Sequence, residues 1–215
     1  MFELGLKVLI SYLIGSVMGA LVLGRLQGGV DIRSMGSGNA GGTNALRTQG
    51  WRFALGVVVV DIGKGMLAAG VIPTIELPFV AENSNLPLIW ITITCACASV
   101  IGHVWPIWHK FRGGKGAATL IGTLIIIEPW LLIPVLIVWI IVLVISGFVG
   151  LATICGGISA ALAAGVISES LENPLFLYCA VMSVYLIYSH RSNIKRMQQG
   201  TENRLHSVTL FRRPR

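Results

Sequence analysis

The sequence predicts an all-α integral membrane protein of about seven transmembrane helices, and three observations predict it. Of 215 residues, 54% are hydrophobic and only 12% are charged, about half the charge of a soluble domain. The mean hydropathy is +0.80. The apolar residues come in long runs, most of them near the roughly 20 residues that a bilayer-crossing helix needs. Laying those runs out as spans sorts the charges onto opposite sides.

The runs cover residues 4–24, 52–75, 86–105, 117–127, 129–147, 149–166 and 174–188. The first reads as a retained span rather than a secretory signal, because Glu3 offsets Lys7 and no small-residue cleavage pattern follows. The fourth is short, so it either tilts with flanking residues drawn in or re-enters on one side. With seven spans, Arg25, Arg33, Arg47, Arg52, Lys110, Arg112 and Lys115 share a side with Arg191, Lys195, Arg196, Arg204, Arg212, Arg213 and Arg215. Glu3, Glu76, Glu82, Glu128, Glu169 and Glu172 fall opposite, with Lys7 the lone base there. Basic loops stay cytoplasmic, so the N-terminus is expected outside and the C-terminus in the cytoplasm. Trp51, Trp105, Trp108 and Trp130 fall at predicted span ends, where amphipathic rings anchor.

A single polytopic domain over 1–215 is expected, with a basic tail from about 200 loosely held on anionic lipid. The net charge is +7. In so apolar a chain this points to anionic lipid or a phosphorylated substrate, not to nucleic acid. Cys95, Cys97, Cys155 and Cys179 all sit in apolar runs and read as packing residues. His103 and His109 are six apart, which is not a zinc spacing, so no metal site is expected.

Polar residues concentrate in three clusters on the predicted cytoplasmic side. The first, 35–47, reads MGSGNAGGTNALR. Gly36, Gly38, Gly41 and Gly42 let the backbone turn and approach a ligand, and exposed N–H groups in such turns make an anion-binding concavity. Ser37, Asn39, Thr43 and Asn44 add neutral donors, and Arg47 adds a planar charged fork. The second, 102–119, places Gly113, Gly114, Lys115 and Gly116 just before an apolar helix, an arrangement suited to phosphate. The third, 190–202, follows the last run, and there His190 and Asn193 share a helical face. As alternatives, the first two are turn-forming connectors and the third a basic segment attracted to lipid. Asp61 and Lys64 sit three apart inside the second span, where they can pair. Ionisable groups there are expensive, so the pair either serves function or orders the bundle.

In order and separation, GSGNAGGTNALRT, GHVWPIWHKFRGGKGAAT and HRSNIKRMQQGTE resemble the bacterial membrane-integral acyl-phosphate:glycerol-3-phosphate acyltransferases, the PlsY type. YLIGS at 12–16, DIR at 31–33 and DIGKG at 61–65 extend the resemblance over nearly the whole chain. It implies a seven-helix enzyme of the bacterial cytoplasmic (inner) membrane with its site facing the cytoplasm. The implied reaction moves a fatty acyl group from acyl phosphate to the 1-hydroxyl of sn-glycerol 3-phosphate, without cofactor. The products would be lysophosphatidic acid and phosphate, as the first committed step of phospholipid synthesis.

By motif, Ser37, Asn39, Thr43, Asn44 and Arg47 would line the phosphate site, with Lys115, His190 and Asn193 completing it. Gly36, Gly38, Gly113, Gly114 and Gly116 would supply backbone around the phosphate, and Glu202 matches the acidic position ending the third motif. Arg47 and Lys115 would neutralise charge, Ser37 and Asn193 would orient substrate, and the base would be His190 or a substrate phosphate oxygen.

The chain departs from the family pattern in places. Met18 follows Gly15-Ser16-Val17 where the family has Gly-Ser-Ile-Pro, and Gly42 replaces an alanine. Gly147-Phe148-Val149-Gly150 stands where the family has Arg-Tyr-Val-Ser, with Ser146 and Thr153 near enough to substitute. The other common glycerophosphate acyltransferase dyad, His-x-x-x-x-Asp, is absent: Trp108, Gly114, Lys195 and Phe211 occupy the fifth positions after the four histidines. The rival class, an organophosphate transporter, also needs basic phosphate sites, but usually near the midplane within repeats.

Overall fold

A computed structural model describes residues 1–77, 86–168, 170–205 and 209. Glu82, Glu169, His206, Arg212, Arg213 and Arg215 therefore lie outside the described residues. Among the described residues ten α-helices run in order: α1 (Phe2–Gly15), α2 (Gly19–Leu26), α3 (Gly42–Gln49), α4 (Trp51–Gly70), α5 (Leu88–Val104), α6 (Ala117–Ile127), α7 (Leu132–Ser146), α8 (Val149–Ile167), α9 (Pro174–Ser189) and α10 (Arg191–Gln198). They fall into two compact units, Met1–Pro129 and Trp130–Arg215.

In the first unit, α4 packs against α1, α2, α3, α5 and α6, and α1 packs along α5. Small residues make these close approaches possible, as they do between membrane helices generally. A Cβ on Gly65 would meet the carbonyl of Thr119, and one on Gly122 that of Ile62, so α4 and α6 touch backbone to backbone. Gly15 against Ser99 and Gly102 against Tyr12 do the same for α1 and α5.

The first predicted span is broken. α1 and α2 meet at 47° across Ser16–Met18. A break inside a span leaves carbonyls and amides without helical partners, a cost of several kcal/mol per group in hydrocarbon. Here α4 supplies the missing partners. Lys64 Nζ donates to the carbonyls of Gly15 (2.8 Å) and Val17 (2.6 Å). The amide of Gly19, at the start of α2, donates to Asp61 Oδ1 (3.2 Å). The two side chains pair at 3.1 Å and are almost fully buried. Charge also matches the helix dipoles, with the cation at the end of α1 and the anion at the start of α2. The intramembrane pair therefore orders the bundle. Tyr12 Oη further donates to the carbonyl of Trp105 (2.7 Å) and the Ile107 amide to Ser16 Oγ (3.4 Å), fastening the end of α5 to the break.

At the opposite end of α1, Glu3 and Lys7, expected as flanking charges, are buried within the helix. They pair at 2.7 Å, and Lys7 also donates to the carbonyl of Pro73 (2.9 Å). Beneath the first polar cluster lies a core of Met18, Ala20, Ile32, Ala40, Ala45, Phe53, Ala54 and Val57.

In the second unit, α7 turns back into α8 through Gly147 (φ +73°) and Phe148, and α9 packs on α8. Asn173 caps α9 by accepting from the Leu175 amide (2.9 Å), and Pro174 opens it. Ser183 Oγ donates to the Gly157 carbonyl (2.6 Å), drawing α9 against α8. Ile133, Ile137, Ile140 and Ile141 leave one side of α7 about half exposed, as a lipid-facing stripe requires.

Among the described residues, four helical stretches are long and apolar enough to cross a bilayer, five if α1 and α2 count as one bent span. The eleven residues of α6 and sixteen of α9 rise about 1.5 Å each, short of a roughly 30 Å hydrocarbon core. All four cysteines are free thiols.

Lys64→Met is expected to lower unfolding stability by about 3–5 kcal/mol, because it strands a buried carboxylate and two carbonyls. Asp61→Asn combined with Lys64→Met should cost less than the sum of the single changes. Thermal unfolding of the purified protein in detergent checks both.

Candidate active site

The first cluster hangs on two anchors. Ala40 and Ala45 plug into the core at zero exposure. Asn44, 1% exposed, spends its whole amide on the loop. Its Nδ2 donates to the carbonyls of Ile32 (2.9 Å) and Met35 (3.1 Å), and its Oδ1 accepts from the Ser37 amide (2.9 Å). Both N–H groups are committed, so Asn44, expected among the phosphate donors, shapes the loop instead. Gly36 (φ +56°) and Gly38 (φ +71°) take left-handed conformations, and a Cβ on Gly36 would strike Asn44 Oδ1. Thr43 and Arg47 lie four apart on α3, on one face of the helix. Arg47 is exposed, while Ser37, Asn39 and Thr43 are half-buried.

Asp31 and Arg33, quoted in the motif but absent from the expected site, tie this loop to the second cluster. Asp31 Oδ1 accepts from the Arg33 amide (2.9 Å) and Nε (3.0 Å), and Oδ2 pairs with Nη2 at 2.7 Å. The remaining arm, Nη1, donates to the carbonyls of Arg112 (3.1 Å) and His109 (3.4 Å). The hydrogen bonds from Arg33 hold the Asp31 carboxyl below its usual range, and Asp31 raises Arg33 in return. A depressed carboxyl stabilises the fold above its unfolded value near 3.8. That contribution fades as pH falls through the lower folded value, so the latch is fully formed at neutral pH. The only sequence signal was an acid and a base two apart, too common to single out.

In the second cluster the glycines turn out to be packing residues. Gly113 lies against the His103 carbonyl, and a Cβ on Gly114 would strike His103 Nε2. The Gly114 amide donates to the His103 carbonyl (3.1 Å), fixing the loop against α5. Gly116 (φ +86°) caps the start of α6 and receives the Leu120 amide (2.8 Å). Lys115, half-buried, stands between these fixed points. His103 itself is 2% exposed, with Nδ1 3.5 Å from Asp61 Oδ1. The glycine-lysine loop thus rests, through one imidazole, on the acid that splices α1 to α2. A single histidine near the end of an apolar run carries no local mark that it packs against a glycine loop.

In the third cluster, in the second unit, His190 sits at the start of α10 and the Asn193 backbone amide donates to its carbonyl (2.8 Å). Both are buried, at 4% and 6% exposure. His190 Nδ1 lies 2.8 Å from the Leu186 carbonyl. A carbonyl only accepts, so Nδ1 carries the hydrogen in this contact, and the lone pair of the neutral ring is on Nε2. Asn193 Nδ2 donates to Glu202 Oε1 (2.8 Å), and Glu202 Oε2 takes Arg196 Nε at 2.6 Å. Glu202 thereby orients both Asn193 and Arg196. The expected loose tail is secured in its first part. The Leu205 amide donates to the Gly147 carbonyl (2.8 Å), and Arg204 covers the Phe148 ring at 4.6 Å.

The departures at 147 and 150 now have a steric reason. A Cβ on Gly147 would press on Thr209 Cγ2 at 2.8 Å, and one on Gly150 on the Asn193 side chain at 2.9 Å. Ser146 and Thr153 do not stand in for the missing polar groups. Ser146 Oγ donates to the Val142 carbonyl (2.6 Å) and accepts from the Phe148 amide (3.1 Å). Thr153 donates to the Val149 carbonyl (2.9 Å) and accepts from Trp139 Nε1 (3.4 Å).

A broken first span, short apolar helices and basic glycine-rich loops laid on a small-residue helix bundle define a multi-pass membrane protein. The family model for glycerol-3-phosphate acyltransferase matches residues 5–200. The glycerol-3-phosphate acyltransferase of Chlorobaculum tepidum is 35% identical, over 92% of this chain and 94% of its own. That of Salinibacter ruber is 36% identical, over 96% and 94%. The crystal structure of PlsY (YgiH), an integral membrane glycerol 3-phosphate acyltransferase, in its glycerol 3-phosphate form superposes with a TM-score of 0.80 at 31% identity. The match covers 95% of this chain and 96% of that one. Its lysophosphatidic acid form gives 0.78 at 32%. This chain belongs to the glycerol-3-phosphate acyltransferase family, as a PlsY-type member.

Asn44→Ala is expected to destabilise the protein by about 2 kcal/mol or more, since it leaves two carbonyls and an amide without partners. It should also expose the 35–44 loop to protease. Thr43→Ala, by contrast, should leave the thermal midpoint unchanged; equal losses from the two would remove the structural assignment of Asn44.

Proposed function

We propose that this protein transfers a fatty acyl group from acyl phosphate to the 1-hydroxyl of sn-glycerol 3-phosphate, releasing lysophosphatidic acid and phosphate on the cytoplasmic side of a bacterial inner membrane. One observation carries the reading beyond family membership. Arg33 latches the first glycine-rich loop to the second, so two donor-rich segments become one rigid platform of the kind a phosphate ester needs. The named homologues act on glycerol 3-phosphate, and both proposed substrates carry phosphate.

The chemistry asks little of acid–base side chains. Acyl phosphate is an activated acyl donor. The hydroxyl oxygen attacks the carbonyl carbon, the carbon–oxygen bond to phosphate breaks, and phosphate leaves with that electron pair. The hydroxyl proton passes to a phosphate oxygen of the substrates or to His190 Nε2. Positioning and stabilisation of developing negative charge then supply most of the rate. In this reading Arg47 and Lys115 neutralise charge, Ser37, Asn39 and Thr43 hold the phosphate, and Asn44 keeps the loop in shape. His190 and Asn193 carry their assignment from the motif resemblance, with Nε2 as the basic atom and Asn193 oriented by Glu202.

The purified protein, given glycerol 3-phosphate with either acyl phosphate or acyl-CoA, should release phosphate and form lysophosphatidic acid with the former only. Turnover with acyl-CoA alone would overturn the donor assignment, and uptake of glycerol 3-phosphate into vesicles without chemistry would replace the enzyme by a transporter. Arg47→Ala and Lys115→Ala should each cut turnover by about 10²-fold, the scale of one lost transition-state donor. Near-normal rates in folded variants would remove them from the mechanism.

A further inference from the structure

The turn between α7 and α8 carries a cation that the motifs do not include. Arg204 is exposed, and its guanidinium lies over the face of Phe148 at 4.6 Å. Stacking of this kind holds the guanidinium plane while leaving its N–H groups directed outward around the rim. Among the described residues Arg204 has no carboxylate partner, whereas Arg33 and Arg196 each have one.

Three features place Arg204 rather than leaving it on a wandering tail. The Leu205 amide donates to the Gly147 carbonyl at 2.8 Å. Gly147, with φ +73° and no side chain, leaves room for the Arg204 stem and for Thr209. Glu202, two residues earlier, grips Asn193 and Arg196. The ring that holds Arg204 is two residues from Gly150, on whose bare Cα the Asn193 side chain rests. Guanidinium, Asn193 and the α7–α8 turn therefore form one fixed end of the second unit.

We propose that residues 201–205 act as a strap that delivers Arg204 as a phosphate-binding residue, whose ligand is the terminal phosphate group of a substrate of the reaction proposed above. The inference rests on that reading. An anionic lipid headgroup offers the same phosphate chemistry, so the experiment separates the two sources. A guanidinium fixed by an aromatic face and a main-chain hydrogen bond suits one defined ligand. A headgroup patch needs only mobile surface charge.

The test uses the full-length protein in neutral detergent without added lipid, with each substrate varied in turn. Arg204→Ala should raise KM for glycerol 3-phosphate or acyl phosphate about tenfold, the scale of one charge-assisted hydrogen bond, with kcat within about twofold. Arg204→Lys should recover part of the loss, because charge remains and the planar fork does not. Gly147→Ala, which crowds the strap, should raise the same KM with Arg204 intact. If Arg204→Ala does not fold, Phe148→Leu gives the same reading by removing the platform.

Unchanged KM for both substrates in micelles overturns the proposal. So does a defect seen only in vesicles containing anionic lipid, which would assign Arg204 to headgroups. A wild-type protein with no turnover of these substrates overturns the proposed function instead, and the two failures are thereby distinct.

Discussion

Everything in the first unit depends on how a broken helix is tolerated in hydrocarbon. Lys64 covers the carbonyls that α1 leaves open, and Asp61 receives the first amide of α2. Neither residue alone would suffice, since each would be an unpaired buried charge. Together they neutralise one another and satisfy both sides of the break. The break in turn sets where α2 points, and α2 with α3 and α4 encloses the core under the first glycine-rich loop. His103 extends the same network upward, from Asp61 to the backbone of the glycine-lysine loop.

This arrangement divides polar residues into those that hold and those that are offered. Asn44, Glu202, Ser146 and Thr153 make their hydrogen bonds within the protein. Arg47 is exposed on α3, with Thr43 half-buried on the same helix face and Asn39 half-buried in the loop before it. The glycines divide likewise. Gly36 and Gly38 serve left-handed turns, while Gly113 and Gly114 are small because an imidazole and a carbonyl lie against them. The glycine-rich loops are thus mostly internal carpentry, and the carpentry gives the few side chains left at the surface a fixed geometry.

The second unit shows how a chain can differ from its family and keep a consistent local structure. Glycine at 147 and 150 removes two side chains, and the space is taken by the tail and by Asn193. Glu202 fixes the side chain that rests on Gly150, holding Asn193 with one oxygen and Arg196 with the other. A polar position lost on one element has been met by chain arriving from another.

The sequence by itself determined the helical membrane class, the positions of the apolar helices, the shortness of the fourth, the Asp61–Lys64 pair and the His190–Asn193 face. Those depend on hydropathy and on i, i+3 spacing, which are local. The three motifs also identified the family. Only tertiary structure decided that the first span breaks, that Arg33 latches two loops 76 residues apart, and that Gly114 makes way for His103. It also decided that Asn44 and Glu202 face inward. Glycine, asparagine and glutamate have the same letters whether they meet a ligand or a neighbour. Which they meet depends on chain that is distant in sequence, and hydrogen-bond donors and acceptors near in space carry no mark of that in the local pattern.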